Sequence, residues 1–221
     1  FTGLYPHSNG SWGNSMALGM DVKTIGQRLT AQGIHCAYIG KWHLDAGDYF
    51  GNGICPDGWD AEYWYDMKRY LDELSDEERA FSRKESSSDT GIDEQFTYGY
   101  RVTQRALRFM EEYAHEDFYL VVSYDEPHGP SLCPEPYASM YGHGCMNEHT
   151  AAWTDPLAGK PFYQHLWAQD AHGEEVSKRN LGISCRLAAC NSYIDAQIGR
   201  VLEKARTLDS IRLFTSDHGE A

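Results

Sequence analysis

The stretch "GIHCAYIGKWHLD", residues 33–45, decides the fold. Its first part, "IHCAYI", is a short apolar run typical of a buried strand, and the polar "GKWH" follows it directly. Upstream, Asp21 can cap a helix with apolar residues at helical spacing, and Gly33 stands where that helix would end. The stretch therefore predicts a helix and then a strand that delivers a lysine and a histidine to its carboxyl end.

The same order of helix and strand occurs twice more along the chain. A predicted helix over residues 93–115 precedes the apolar run "FYLVVSY", which leads into "DEPHGP". Another helix, over residues 178–206, precedes "IRLFTS", which leads into "DHGE". Helices that alternate with near-continuous apolar strands predict an α/β fold with a mostly parallel sheet and helices on both faces. The three polar clusters would then meet at the carboxyl edge of the sheet, where ligand sites form in open α/β folds.

Length and charge exclude several classes of protein. The 221 residues, 41% of them hydrophobic, can bury a sizeable core. The formal charge of −14 argues against broad attraction to nucleic acid or to an anionic membrane. No stretch approaches the roughly 18 to 20 apolar residues of a membrane span, and the opening "FTGLYPHSNG" lacks the pattern of a signal peptide. We therefore expect neither nucleic acid nor membrane as a partner, while the oligomeric state stays open.

The six cysteines form no CxxC pair and no zinc-type spacing with histidine, so we expect free thiols. Their density is far below that of a disulfide-stapled domain, which favours a reducing compartment such as the cytoplasm. A secreted or periplasmic protein with disulfides stays open as an alternative.

Lys41 and His43 in "GKWH" are two residues apart, so in an extended segment both side chains point one way and Trp42 points the other. Together they form a cationic pair suited to the oxygens of a sulfate or phosphate, and the histidine can also protonate a leaving oxygen. The alternative is a strand end with a solvated lysine and a histidine bonded to a carbonyl. Spacing alone favours that alternative.

Two other motifs place ionisable side chains at predicted strand ends. His128 stands between two prolines that stiffen "DEPHGP", although this motif taken alone favours a proline-rich turn with an incidental histidine. Asp217 and His218 in "SDHG" can offer an oxygen and an imidazole nitrogen to a divalent cation. The alternative for these two residues is an Asx turn that caps the next helix.

Two segments are less regular. Residues 72–91 are charged and serine-rich, which predicts a short helix followed by a flexible loop. Residues 133–173 are too long for a plain connection, and we expect an excursion over the sheet edge. A metal site from His143, Glu148 and His149 is a weaker hypothesis there than a solvated loop.

Taken together, the ordered motifs resemble those of the sulfatase family, within the alkaline phosphatase superfamily. "TGLYPHSNG" resembles the segment after the family's nucleophile motif, C/S-x-P-x-R, and "LTAQGIHCAYIGKWHLD" is similar to its second signature. "FYLVVSYDEPHGP" and "YIDAQIGRVLEKA" with "LFTSDHGE" resemble the later strand ends. The resemblance spans residues 2–220. It implies an alkaline phosphatase-like fold and hydrolysis of small-molecule or saccharide sulfate esters.

The resemblance also implies roles for single residues. Lys41 would contact sulfate oxygens, and His43 would support the nucleophile. His128 would bind the sulfate or protonate the leaving alcohol. Asp217 and His218 would ligate a divalent ion, with Ca²⁺ favoured over Mg²⁺ or Mn²⁺, and a formylglycine would be the nucleophile.

Parts of the family pattern have no counterpart in this sequence: the first aspartate pair, the formylglycine-forming residue with its arginine, and a later lysine. We therefore expect residues 1–221 to be one partial sulfatase-like catalytic domain, truncated at both ends, with an incomplete fold and little or no activity of its own. Two alternatives stay open. One is a phosphonate or phosphodiester hydrolase of the same superfamily, and the other is a truncated, non-catalytic relative.

Overall fold

The computed structural model describes residues 1–47, 50–83, 92–141, 157–171 and 174–218. The helices are α1 Pro6–Asn9, α2 Ile25–Thr30, α3 Met67–Asp72, α4 Asp76–Ser82, α5 Tyr98–Glu112, α6 Phe162–Ala171 and α7 Glu174–Arg206, with a 3-10 helix at Glu94–Phe96. The strands are β1 His35–Gly40 and β2 Phe118–Ser123. Both strands and the helices α5 and α7 lie where the sequence predicts them, and α4 confirms the short helix expected after residue 72.

β1 and β2 form a parallel sheet, with His35 opposite Phe118 and Gly40 opposite Ser123. β1 is buried from Cys36 onward, whereas β2 is half-buried along its length. Parallel strands in this register end side by side, so the segments that follow β1 and β2 leave the sheet at the same edge. This arrangement confirms the predicted parallel pairing of the first two strands.

Gly40 allows the two strand ends to approach closely. Its φ is 129°, and a Cβ at this position would lie 1.8 Å from the carbonyl oxygen of Ser123. The Gly40 N–H donates to Tyr65 O at 2.9 Å, and the Lys41 N–H donates to Ser123 O at 3.0 Å. Only glycine fits this combination of conformation and space. The first residue of "GKWH" therefore fixes where the chain leaves the sheet.

The N-cap of helix α2 lies three residues after the predicted one. Thr24, rather than Asp21, is the N-cap residue, and its hydroxyl accepts from the Gln27 N–H at 3.4 Å. The Gln27 side chain accepts from the Thr24 N–H at 2.9 Å, which completes a capping box. The prediction of Asp21 was wrong because the threonine and glutamine satisfy two backbone donors reciprocally. Gly33, with a φ of 84°, does adopt the left-handed conformation expected after the helix.

Thr24→Ala should lower the free energy of unfolding by about 1 kcal/mol, because it removes the side-chain acceptor for the first turn of α2. Thr24→Ser keeps the hydroxyl and should change it by less than about half as much. Urea unfolding followed by tryptophan fluorescence measures both variants. Equal losses in Ala and Ser would show that the methyl group, which is buried with the rest of Thr24, matters more than the cap.

The third predicted strand is not formed. Residues 211–216 have no regular secondary structure, and the sheet formed by the described residues has two strands, β1 and β2. Ile211 is fully exposed and Leu213 is 90% exposed. A strand needs a backbone partner as well as an apolar pattern, and the pattern alone misled the prediction.

The chain divides into two compact units. The first comprises Phe1–Arg79, Tyr98–Asp125 and Asp195–Ala221, and the second comprises Ala80–Thr97 and Glu126–Ile194. Residues 84–91 and 142–156 lie outside the described residues, and so do the flexible loop expected in residues 72–91 and the hypothetical metal site at His143, Glu148 and His149.

An aromatic cluster forms part of the core of the first unit. The Tyr38 ring lies 4.9 Å from Trp42, 5.3 Å from Trp59 and 5.7 Å from Trp64, measured between ring centroids. All four side chains are buried. The contacts with Trp42 and Trp59 are edge-on, a geometry that stabilises aromatic pairs beyond their burial. Trp42 therefore anchors "GKWH" on the buried side of the sheet edge.

The core of the second unit centres on Tyr193 of α7. Its hydroxyl shares a hydrogen bond with the Thr97 hydroxyl, and its ring lies 5.5 Å from that of Tyr137. Nearby, the Cys190 thiol donates to the Leu132 carbonyl at 3.7 Å.

Cysteines 36, 55, 133, 185 and 190 are free thiols. Of the helices that the structure describes, none has the length and apolar character needed to cross a membrane.

Candidate active site

The lysine of "GKWH" is held by an acidic residue from the end of β2. Lys41 Nζ lies 3.1 Å from Asp125 Oδ1, and the two side chains are only 17% and 8% exposed. Both residues follow strands that end side by side, so the register of the sheet brings them together. Sequence reasoning missed Asp125. Its signal was its position, the first acidic residue after the second strand.

His43 does not continue the extended backbone that we expected. Its φ is 52°, in the left-handed region that non-glycine residues seldom adopt, so the alternation of side chains ends before it. The prediction that the Lys41 and His43 side chains point to the same side assumed an extended backbone, and that premise is wrong at His43. A backbone bond from the Leu18 N–H to Leu44 O, at 3.2 Å, ties the segment to the loop that follows α1 instead.

A solvent-open cavity of about 250 Å³ lies beside His43. Its lining residues are Pro6, Ser11, Trp12, Gly13, Asn14 and His43. The cavity joins two motifs that are far apart in sequence, "YPHSNG" with the residues after it and "GKWH". A concave surface with an aromatic wall and a few polar groups is the usual form of a small-molecule site.

His128 belongs to the second unit and stands in a braced loop. The Ser131 N–H donates to His128 O at 3.0 Å, and the Ser131 hydroxyl donates to Pro127 O at 2.8 Å. His128 Nδ1 lies 3.1 Å from Gly129 O. Because a carbonyl oxygen only accepts, Nδ1 carries a proton in this contact. The prolines and Ser131 together give the loop the stiffness that the sequence predicts.

Asp217 and His218 are adjacent and open to solvent, with side chains 80% and 71% exposed. The His218 N–H donates to Asp217 Oδ1 at 2.9 Å, and Asp217 Oδ2 lies 3.6 Å from His218 Nε2. Burial is the main cause that raises the pKa of Tyr38, and the charge of Asp217 adds to that shift.

The model of the family described as Sulfatase matches residues 1–221. The chain belongs to the sulfatase family. It is 41% identical over 230 residues to "Uncharacterized sulfatase YidJ" of Escherichia coli K12, covering 100% of this chain and 46% of that protein. It is 26% identical over 245 residues to "Ulvan-active sulfatase" of Formosa agariphila, covering 99% of this chain and 39% of that protein. The sulfatase-family chain thus spans less than half the length of these relatives.

The fold is also similar to a solved structure, the phosphonate monoester hydrolase of Agrobacterium radiobacter. The TM-score is 0.63 at 16% sequence identity, over 94% of this chain and 48% of that chain. At this identity the likeness concerns the fold alone. It confirms the alkaline phosphatase-like α/β fold that the sulfatase resemblance implies.

The predicted metal ligands of this sulfatase-family chain fit as part of a cation site. Two ligand atoms at about 2.3 Å from one cation and at right angles are about 3.3 Å apart, and the Asp217 oxygen and His218 nitrogen lie 3.6 Å apart. The carboxylate is a hard donor of the kind that Ca²⁺ and Mg²⁺ prefer. Within the described ranges, no group of three His, Cys, Asp or Glu side chains could hold a metal ion. Asp217 and His218 therefore stay predicted ligands, and a cation held by them would need further ligands from elsewhere.

Proposed function

We propose that residues 1–221 form part of the catalytic domain of a sulfatase that cleaves sulfate esters of small molecules or saccharides. The observation that carries the proposal is the Lys41–Asp125 pair at the carboxyl edge of the sheet. A largely buried ammonium group at this edge suits an anionic substrate group, and membership of the sulfatase family favours sulfate over other anions.

Lys41 is the proposed sulfate contact. An ammonium group in a partly desolvated position offsets negative charge on a transferred group more strongly than one in water. Asp125 is a positioning residue, because its carboxylate holds Nζ at 3.1 Å and so limits where the ammonium can point.

The two histidines complete the proposed acid and base groups. His43 supports the nucleophile, since it lines the cavity and the next residue, Leu44, accepts a backbone bond from Leu18 in the loop after α1. His128 binds the sulfate or protonates the leaving alcohol. Its contact with Gly129 O orients the ring and sets the proton on Nδ1.

Asp217 and His218 would hold the divalent cation, Ca²⁺ in the first place, with Mg²⁺ and Mn²⁺ as alternatives. A bound cation would lower the pKa of the nucleophile and neutralise the ester oxygens. We place the formylglycine nucleophile, and the remaining cation ligands, outside residues 1–221. Asp217 then contributes one carboxylate oxygen and His218 one ring nitrogen.

Steady-state assays of the full-length protein test this proposal with matched aryl sulfate and aryl phosphonate monoesters in the presence of Ca²⁺. We expect kcat/KM for the sulfate to exceed that for the phosphonate by about 100-fold or more, because the two esters differ in the charge and geometry of the transferred group. Hydrolysis of phosphonate monoesters is the second candidate function, since the fold is similar to that of a phosphonate monoester hydrolase.

A preference for the phosphonate would overturn the assignment to sulfate esters. Hydrolysis of neither ester, with Ca²⁺, Mg²⁺ or Mn²⁺ supplied in turn, would favour the non-catalytic relative.

A further inference from the structure

Residues 10–18, which we call the Trp12 loop, form a closed loop between α1 and α2. Its neck is a backbone bond from the Gly19 N–H to Asn9 O at 2.8 Å. Gly10 turns the chain with a φ of 91°, and a Cβ there would lie 3.0 Å from Gly19 N. The two ends of the loop are therefore packed backbone against backbone.

The loop is also braced from inside. The Ser11 N–H donates to Asn9 Oδ1 at 2.9 Å, and the Ser11 hydroxyl donates to Met16 O at 3.0 Å. The Leu18 N–H donates to Leu44 O, which fastens the loop to the segment that carries His43. A loop held at its neck, in its middle and against a second segment is preformed before any ligand arrives.

This preformed loop presents an indole to solvent. Trp12 is 69% exposed, whereas Trp42, Trp59 and Trp64 in the same unit are buried. Leaving most of an indole in water forfeits the free energy that its burial would contribute. An exposed tryptophan on a braced loop, at the wall of a cavity, is typical of a binding surface for a flat or weakly apolar group.

The other walls of the cavity are polar. His43 offers an imidazole, and Asn14 offers carboxamide donors and an acceptor. A sugar ring has C–H faces that stack on an aromatic ring and hydroxyl groups at its rim that hydrogen-bond to such polar groups. The volume, about 250 Å³, is below the range of roughly 300 to 1,000 Å³ usual for drug-sized ligands, so it suits one ring rather than an oligosaccharide.

We propose that Trp12 is a stacking platform for the sugar ring of a saccharide sulfate, with Asn14 bonding hydroxyl groups of that ring. The proposal rests on the proposed sulfatase function and selects saccharides from its two substrate classes. The ester end of the substrate lies on the His43 side of the cavity. Trp12 then determines which sulfate esters are bound, and takes no part in bond cleavage.

Kinetics of the full-length protein test the platform with a monosaccharide sulfate and a matched aryl sulfate. Trp12→Ala should raise KM for the saccharide sulfate about tenfold, because the stacking surface is lost. Trp12→Phe keeps an aromatic face and should raise it by less than about threefold. The inhibition constant of inorganic sulfate, which has no ring to stack, should change by less than about twofold in Trp12→Ala.

Phe162→Ala is the matched control, because Phe162 is a similarly exposed aromatic residue, at 74%, and does not line the cavity. We expect its KM values to equal those of the wild type. An unchanged saccharide KM in Trp12→Ala would overturn the proposal. A rise confined to the aryl sulfate, or an equal weakening of inorganic sulfate, would overturn it as well.

Binding separates this proposal from the proposed function. If the full-length protein hydrolyses no sulfate ester, the proposed function fails, and calorimetric titration with the monosaccharide sulfate still decides the role of Trp12. Tight binding to the wild type with a dissociation constant about tenfold higher in Trp12→Ala would support the platform alone. Equal binding to both proteins would overturn it.

Discussion

Gly40→Ala should destabilise the protein by roughly 4 kcal/mol or more, enough to unfold a protein of ordinary stability. The added Cβ would lie 1.8 Å from Ser123 O, and alanine strongly disfavours a φ of 129°. The clash is with backbone rather than with a movable side chain, so relief requires the ends of β1 and β2 to separate. Urea unfolding followed by tryptophan fluorescence and by far-ultraviolet circular dichroism measures the effect.

Two other glycines provide matched controls. Gly33 has a φ of 84° but open space where a Cβ would lie, so Gly33→Ala should cost only about 1 to 2 kcal/mol of conformational strain. Gly199 lies inside α7 with no atom within 4 Å of an added Cβ, and Gly199→Ala should stabilise the helix by up to about 1 kcal/mol. A Gly40→Ala protein as stable as Gly33→Ala would show that the strand ends do not meet as described.

Each residue of "GKWH" thus has its own physical role. Gly40 lets β1 end against β2, and Trp42 packs into the aromatic cluster. Lys41 lies beside Asp125 and His43 lines the cavity, and these are the two residues to which we assign ligand contacts. We therefore expect substitutions of Gly40 or Trp42 to lower the free energy of unfolding, and substitutions of Lys41 or His43 to lower activity.

Local patterns predicted the elements that local interactions stabilise. The apolar run of β1, the long amphipathic α7 and the glycine after α2 all lie where the sequence places them. Each is determined by residues close in sequence, through periodicity or through one special conformation. The sulfatase resemblance added the fold family, because it used the order of several motifs along the chain.

Non-local features were beyond the same reasoning. The apolar pattern of residues 211–216 resembles a strand, but pairing depends on a partner that a local pattern cannot name. The Lys41–Asp125 pair depends on the register that sets Gly40 beside Ser123, and no spacing between residues 41 and 125 reveals it. A left-handed histidine at position 43 has no local signature, since such a conformation persists only when the surrounding structure imposes it.

Lys41→Ala and Asp217→Asn should separate sulfate binding from cation binding in the full-length protein. Lys41→Ala removes the ammonium at the sheet edge, and we expect kcat/KM on an aryl sulfate to fall about 100- to 1,000-fold. Its cation content should stay that of the wild type, because Lys41 offers no lone pair to a metal ion while it is charged. Elemental analysis after dialysis, together with calcium titration, measures the cation.

Asp217→Asn should instead lower cation affinity by roughly tenfold or more and lower turnover in parallel, because a neutral amide oxygen replaces a charged one. Added Ca²⁺ should restore part of the turnover in this variant, and none in Lys41→Ala. Asp209→Asn removes an equal charge from an exposed position nearby in sequence and should change neither quantity. A wild-type cation content in Asp217→Asn would show that Asp217 is not a metal ligand. A loss of cation in Lys41→Ala would show that Lys41 also supports the cation site, in addition to contacting the sulfate.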